Sequence, residues 1–184
     1  PSKANPDVYT AYGILANKTA VCDGYSKSMN LLLNMAGVET VIVTGRAKGV
    51  RHSWNKVKID GEWYNIDATF NDPLPDIRGA VYHDYFNLTD KQMSVDHTWD
   101  ESKYPQANST KYNYFLYTGM VSASYDQFKN VVNRALSGKP KIVQVYVVDY
   151  DRSYSLDFVR ESGIKSFNYS TPKTSSGVFT LTLN

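Results

Sequence analysis

His52-Ser-Trp-Asn-Lys-Val-Lys-Ile-Asp-Gly-Glu-Trp-Tyr-Asn-Ile-Asp-Ala-Thr69 is the stretch whose reading decides the fold of this chain. Two strand-like runs flank Asp60-Gly61, and Asp-Gly accepts the positive φ that a type I′ hairpin turn requires at both central positions. A two-residue loop fixes the register: 59 faces 62, 58 faces 63 and 54 faces 67. Because side chains alternate, His52, Trp54, Lys56 and Lys58 share a face with Trp63, Asn65, Asp67 and Thr69. His52 becomes a diagonal neighbour of Asp67, at about 5–8 Å between Cβ atoms, within reach of an imidazole–carboxylate hydrogen bond. A slip of one residue would put the two on opposite faces.

Upstream lies Ala20-Val-Cys-Asp-Gly-Tyr25, which opens a predicted helix ending at Gly37. Tyr25, Met29, Leu32, Leu33 and Ala36 follow the rhythm of one buried helical face. Cys22 is the only cysteine in the chain. At the mouth of a helix its thiol feels the positive end of the macrodipole, which favours thiolate. Taken alone it reads first as a small buried apolar residue. Val38–Val43 is β-rich, and Gly45–Arg51, with two glycines and three basic residues, reads as a turn.

The bulk numbers set the frame. Of 184 residues, 42% are hydrophobic and 21% charged, as in ordinary globular domains. The net charge of +2 comes from interspersed residues with no basic run, so nucleic acid is set aside as a partner. One cysteine excludes an internal disulfide and a cysteine-rich zinc cluster. No apolar run approaches the length of a membrane span, and no signal peptide is present. The start at Pro1, without Met, reads as a fragment of a longer product.

Downstream, Asn71-Asp-Pro-Leu-Pro75 breaks the pattern and Val81–Leu88 is a strand candidate. The polar stretch 89–111, with His97 and Trp99, reads as a covering loop. The first domain is drawn as 1–110 and a second as 111–184. In the second, 112–117 is a strand candidate and Ser124 caps a helix burying Phe128, Val131, Val132, Ala135 and Leu136. Lys141–Val148 is a strand buried on both faces. Asp151 caps a short helix, and 164–169 and 178–183 close the chain as strands. This small α/β unit has no cysteine, histidine or glycine-rich phosphate loop, so packing or partner binding is its expected role.

A cysteine nucleophile needs a base to take its proton and a third group to hold that base in the right tautomer. Cys22, His52 and Asp67 supply the three types, provided that the helix covers the sheet face bearing His52. His52 also reads as a metal ligand or core histidine, but no His-x-x-x-His or Cys-x-x-Cys spacing supports a metal, and no cofactor is expected. His83 and His97 are rival bases without a carboxylate placed by a hairpin.

Ala20–Tyr25 with its apolar helix, His52-Ser-Trp-Asn55, Trp63–Thr69 and Asn71-Asp-Pro73 together resemble the bacterial transglutaminase-like family, over about residues 9–100. The motifs arrive in the family's order, Cys, His, Asp. The resemblance implies an α+β, papain-like core, a catalytic helix packed on an antiparallel sheet. It implies Cys22 as nucleophile, His52 as base and Asp67 as orienter, with acyl transfer through a thioester to an amine or water.

The expected oxyanion donors are the backbone N–H of Cys22 and an upstream group, for which Tyr12 is the candidate. Trp54 is read either as a wall of the substrate groove or as a buried core residue. The expected substrate is a protein glutamine amide. The alternatives are a peptidase or amidase acting on peptide or cell-wall amides, and a non-catalytic surface-binding module. The family also implies a protein or peptide partner and an extracellular or cell-surface location on a bacterium.

Overall fold

The computed structural model describes residues 4–172 and 177–184. The chain forms two compact units. One runs to Pro73 and takes in Asp84–Asn113; the other comprises Leu74–His83 and Tyr114–Asn184. Beside the linear division at 110/111, the first unit runs on to Asn113, and Leu74–His83 clusters with the second unit although it lies inside the first in sequence.

In the first unit a short helix, α1 (Ala11–Leu15), precedes α2 (Cys22–Met35). There follow β1 (Thr40–Ala47), β2 (Val50–Ile59), β3 (Glu62–Ile66), β4 (Phe86–Leu88), the single turn α3 (Asp90–Met93) and β5 (His97–Thr98). The strands form one antiparallel sheet in the order β4-β3-β2-β1-β5. Asp60 and Gly61 take φ of 51° and 85°, and the ladder runs Ile59↔Glu62, Lys58↔Trp63 to Asn55↔Ile66, the register the Asp-Gly turn dictates. Gly45–Arg51 is not one long turn. Only Lys48 and Gly49, at φ of 48° and 79°, leave the ladder, so β1 and β2 form a second hairpin that extends to Ala47↔Val50.

The sheet carries a core on each face. On one, Val43, Trp54, Leu88 and Met93 pack with Tyr85, Trp99 and Tyr104. On the other, Val57, Tyr64 and Ile66 pack with Met29 and Leu33 of α2. The helix meets β2 through small polar groups: Ser26 Oγ lies 3.1 Å from Ser53 Oγ, and Asn55 Nδ2 donates to the Ser26 carbonyl at 3.0 Å. This corrects the expected helical face. Gly24, Ser26 and Ser28 are buried, Met29 and Leu33 half-buried, while Leu32 and Ala36 face solvent. Ser26 faces β2, whereas Gly24 and Ser28 lie against the chain before α2: a Cβ on Gly24 would meet the Val8 and Thr10 carbonyls, and Ser28 Oγ donates to the Ala11 carbonyl at 3.4 Å.

Lys56 is buried on the Trp54 face, where its ammonium donates to Asp90 Oδ1 at 2.8 Å and to the Pro105 carbonyl at 2.6 Å. Asp90 also accepts from Asn65 Nδ2 and the Ala107 N–H, so the buried charge is paired and hydrogen-bonded.

In the second unit, Val81–His83 is not strand; of the expected 81–88 segment only Phe86–Leu88 joins a sheet, in the first unit. The expected strand at 112–117 is instead the helix α4 (Tyr114–Thr118), with Phe115 buried. There follow β6 (Val121–Ser122), α5 (Tyr125–Leu136), β7 (Ile142–Val147), α6 (Asp157–Glu161), β8 (Phe167–Ser170) and β9 (Gly177–Leu183), with sheet order β6-β7-β9-β8. Ser124 Oγ accepts the Gln127 N–H and caps α5. Phe128, Val132 and Leu136 of α5 pack on Val143, Val145 and Val147 of β7 and Phe179 and Leu181 of β9. Asp151 does not cap α6; it accepts from the Ser153 N–H, and Leu156 stands at the helix start. Among the described residues no helix is long and apolar enough to cross a membrane.

Candidate active site

α2 begins at Cys22 itself, behind Val21, which offers no side-chain cap. The N–H groups of its first turn therefore keep their positive field for whatever stands at the thiol. The condition that α2 cover the His52 face is not met. The helix lies on the face of Ser53, Asn55 and Val57, whereas Trp54 and, by alternation, His52 belong to the other. Cys22 and His52 nonetheless line one groove, together with Ser53. His52 above all, and Ser53 after it, hold the Cys22 thiol below its ordinary range, against burial.

His52 Nε2–H donates to Asp67 Oδ2 at 2.6 Å, which leaves Nδ1 as the nitrogen for the thiol. Burial pulls the imidazole down, but the hydrogen bonds with Asp67 and Cys22 outweigh it and raise the ring to about 9. A lowered Cys22 and a raised His52 are the directions that favour a thiolate–imidazolium pair.

Asp67 stands one residue beyond β3, where its N–H has left the β2 ladder for the Tyr85 carbonyl. Its Oδ1 accepts the Thr69 and Phe70 N–H groups at 2.9 and 3.1 Å, an Asx-type turn that orients the carboxylate. Burial pushes this carboxyl up, and hydrogen bonds from His52 and then His97 more than reverse it. His97 was read as part of a covering loop. It is fully buried on β5, and its Nε2 lies 3.1 Å from the same Asp67 Oδ2. Its Nδ1 lies 2.6 Å from Asp96 Oδ1. The sequence did hold a signal for it: His97-Thr-Trp99 repeats the His-x-Trp spacing of His52-Ser-Trp54.

His52, Asp67 and His97 bring three ligand-type atoms within 4.8 Å of one another. Both imidazole nitrogens already touch one oxygen, at 2.6 and 3.1 Å. Ligands at zinc distances would stand about 3.3 Å apart in a tetrahedral site. As arranged, this is a hydrogen-bonded cluster.

Trp54 is 1% exposed and forms the bed of the site rather than a wall. It stacks beside His52 at 6.2 Å between centroids and donates from Nε1 to Asn65 Oδ1 at 3.1 Å. Tyr12 is 62% exposed on α1 and does not line the groove. A groove of about 870 Å³ opens over Cys22 and His52, walled by Tyr9, Arg46, Arg51 and Trp99. Of the rival bases, His83 belongs to the second unit, where its ring stacks on Tyr114.

The sequence has counterparts in known proteins. Residues 1–68, a span holding Cys22, His52 and Asp67, match the family model of the transglutaminase-like superfamily. Over 188 aligned residues covering 83% of this chain, the kyphoscoliosis peptidase of Mus musculus is 26% identical. That of Homo sapiens is 24% identical over the same share. The alignments take in 28% of each of those proteins, so this chain spans little more than a quarter of their length. A solved structure described as the crystal structure of a TGase is similar over 50% of this chain and 21% of its own, at 22% identity and a TM-score of 0.34. Over its first 68 residues the chain is similar to the transglutaminase-like superfamily.

Proposed function

We propose that the first unit is a cysteine-dependent acyl-transfer enzyme acting on glutamine side-chain amides of proteins, with Cys22 as nucleophile, His52 as acid–base and Asp67 as orienter. One observation carries this reading: a cysteine at a helix start shares an open groove with an imidazole that is itself fixed by a buried carboxylate. Cys22 Sγ attacks the amide carbon, and the carbonyl π pair moves to oxygen. The developing oxyanion meets the N–H field at the start of α2. Collapse breaks the C–N bond, with the proton from His52 passing to the departing ammonia and leaving a thioester. An amine or water then gives a proton to His52 as it attacks the thioester, and the thiolate is released.

A second reading, peptidase, is favoured by the name of the mouse and human relatives. The same steps apply with a backbone amide as donor and water as acceptor. Product mass on one glutamine-containing protein mixture separates amine adduct, deamidation and chain cleavage. Cys22→Ala should abolish whichever product appears; product formed at an unchanged rate by that variant defeats both readings.

A further inference from the structure

We infer that His97 is a positioning residue of this site: by bridging the carboxylates of Asp67 and Asp96 it holds Asp67 turned toward His52. The inference rests on the nucleophile reading of Cys22 but comes from a separate set of contacts.

Asp67 Oδ2 accepts from two imidazoles, His52 at 2.6 Å and His97 at 3.1 Å. The second ring has carboxylate oxygens at both ends, Asp67 at Nε2 and Asp96 at Nδ1. Carboxylate oxygens accept only, so satisfying both takes a proton on each nitrogen of His97. Asp96 is fixed in turn by the Tyr85 hydroxyl, which donates to its Oδ2 at 2.7 Å. The whole line runs Tyr85–Asp96–His97–Asp67–His52, and His52 shares the groove with Cys22.

The groups that face His97 account for its setting. Asp96 precedes it, Asp67 follows β3, His52 comes from β2 and Tyr85 precedes β4, its ring 5.6 Å away. Lys48, in the turn between β1 and β2, donates its backbone N–H to the Asp96 carbonyl and holds its ammonium over Phe70, whose ring touches His97. The rings of Trp54, Phe70 and Tyr85 wall the imidazole at 5.0 to 5.6 Å. Without the His97 ring, two carboxylates would share this setting with no donor between them. Burial and like charge then favour protonating Asp67, and a protonated Asp67 no longer supports the imidazolium that Cys22 needs.

The test is the rate of Cys22 alkylation by iodoacetamide from pH 5 to 10 in the full chain, for wild type, His97→Gln and the double variant Asp96→Asn/His97→Gln. The inference expects His97→Gln to move the acid limb of the profile to higher pH by about one unit, a roughly tenfold slower reaction at pH 6, with rates converging above pH 9. Removing the second carboxylate in the double variant should restore most of the loss. A His97→Gln profile lying on that of the wild type overturns it, as does a loss that the double variant leaves untouched. Should His97→Gln fail to fold, imidazole ¹⁵N NMR of the wild type decides: a proton on each His97 nitrogen is expected, and a bare Nε2 overturns the inference. The underlying reading fails separately, if wild-type Cys22 reacts no faster than a free thiol.

Discussion

His52 and Asp67 meet at 2.6 Å, Nε2 to Oδ2, although the ladder that aligns their strands ends at Asn55↔Ile66, one residue short of the carboxylate. The contact is thus made by strand register on one side and by an Asx-type turn on the other. Each half can be perturbed separately.

The pH response of the thiol and of turnover should part company. With Cys22 lowered and His52 raised to about 9, alkylation should already be fast near pH 6 and stay fast above 9, where thiolate persists. Acyl transfer should fall above about 9, because neutral His52 has no proton for the leaving amine. His52→Ala should slow alkylation at pH 6 by at least about tenfold. Parallel profiles for alkylation and turnover would contradict this.

Linkage gives a stability counterpart. A raised His52 contributes stability that is complete below its unfolded value, about 6.5, and is lost as pH climbs through about 9. Asp67, lowered in the fold, contributes above its unfolded value, about 3.9, and loses that contribution as pH falls through its folded value. Urea titrations at pH 7 and 10 should show a smaller midpoint at pH 10 for wild type, and a smaller difference for His52→Ala.

Asp67→Asn should keep the turn, since an amide oxygen still accepts the Thr69 and Phe70 N–H groups. It should lower turnover by at least about a hundredfold, with folding nearly intact, because an amide carries no charge for the imidazolium. Asp67→Ala strands those two N–H groups and should cost about 2–5 kcal/mol in denaturant unfolding besides.

Lys56→Met removes one member of a buried pair and leaves Asp90 among Asn65, Ala107 and an apolar stem. A loss of about 3–5 kcal/mol is expected from equilibrium unfolding. Lys56→Met with Asp90→Leu should recover part of it.

Gly45 stands opposite His52 in the β1–β2 ladder, and a Cβ there would lie 2.3 Å from the Thr98 carbonyl oxygen. Gly45→Ala should push β5 away, at about 1–3 kcal/mol, and loosen His97 with it. Amide exchange at His97 and Thr98 should rise selectively.

The parts of the fold legible in the sequence were those set by local chemistry. Asp60-Gly61 dictated a turn, the turn dictated the register, and the register aligned residues 52–56 with 65–67. The start of α2 at Cys22 and the inward face of α5 followed from periodicity and capping. What could not be read depended on distant partners. The sheet face taken by α2 turned on the polar fit of Ser26 against Ser53 and Asn55, which periodicity of apolar residues does not register. β5 is two residues long, too short for any alternating pattern, so His97 looked like loop. Tyr12 was proposed for its place in the chain, but an exposed position on α1 leaves Tyr9 to line the groove. The helix at Tyr114–Thr118 lies within a run of aromatic residues whose preference is for strand, and the burial of Phe115 outweighs that preference.

β2 is bounded at both ends by two-residue turns, Lys48-Gly49 and Asp60-Gly61, and it carries His52 and Ser53 on opposite faces at the thiol. It has no slack. Adding or deleting one residue anywhere along it would exchange the two faces for everything beyond that point, and neither turn could absorb the change. Variation in length among natural or engineered versions of this domain should therefore spare these ten residues and accumulate in the connections after Thr69.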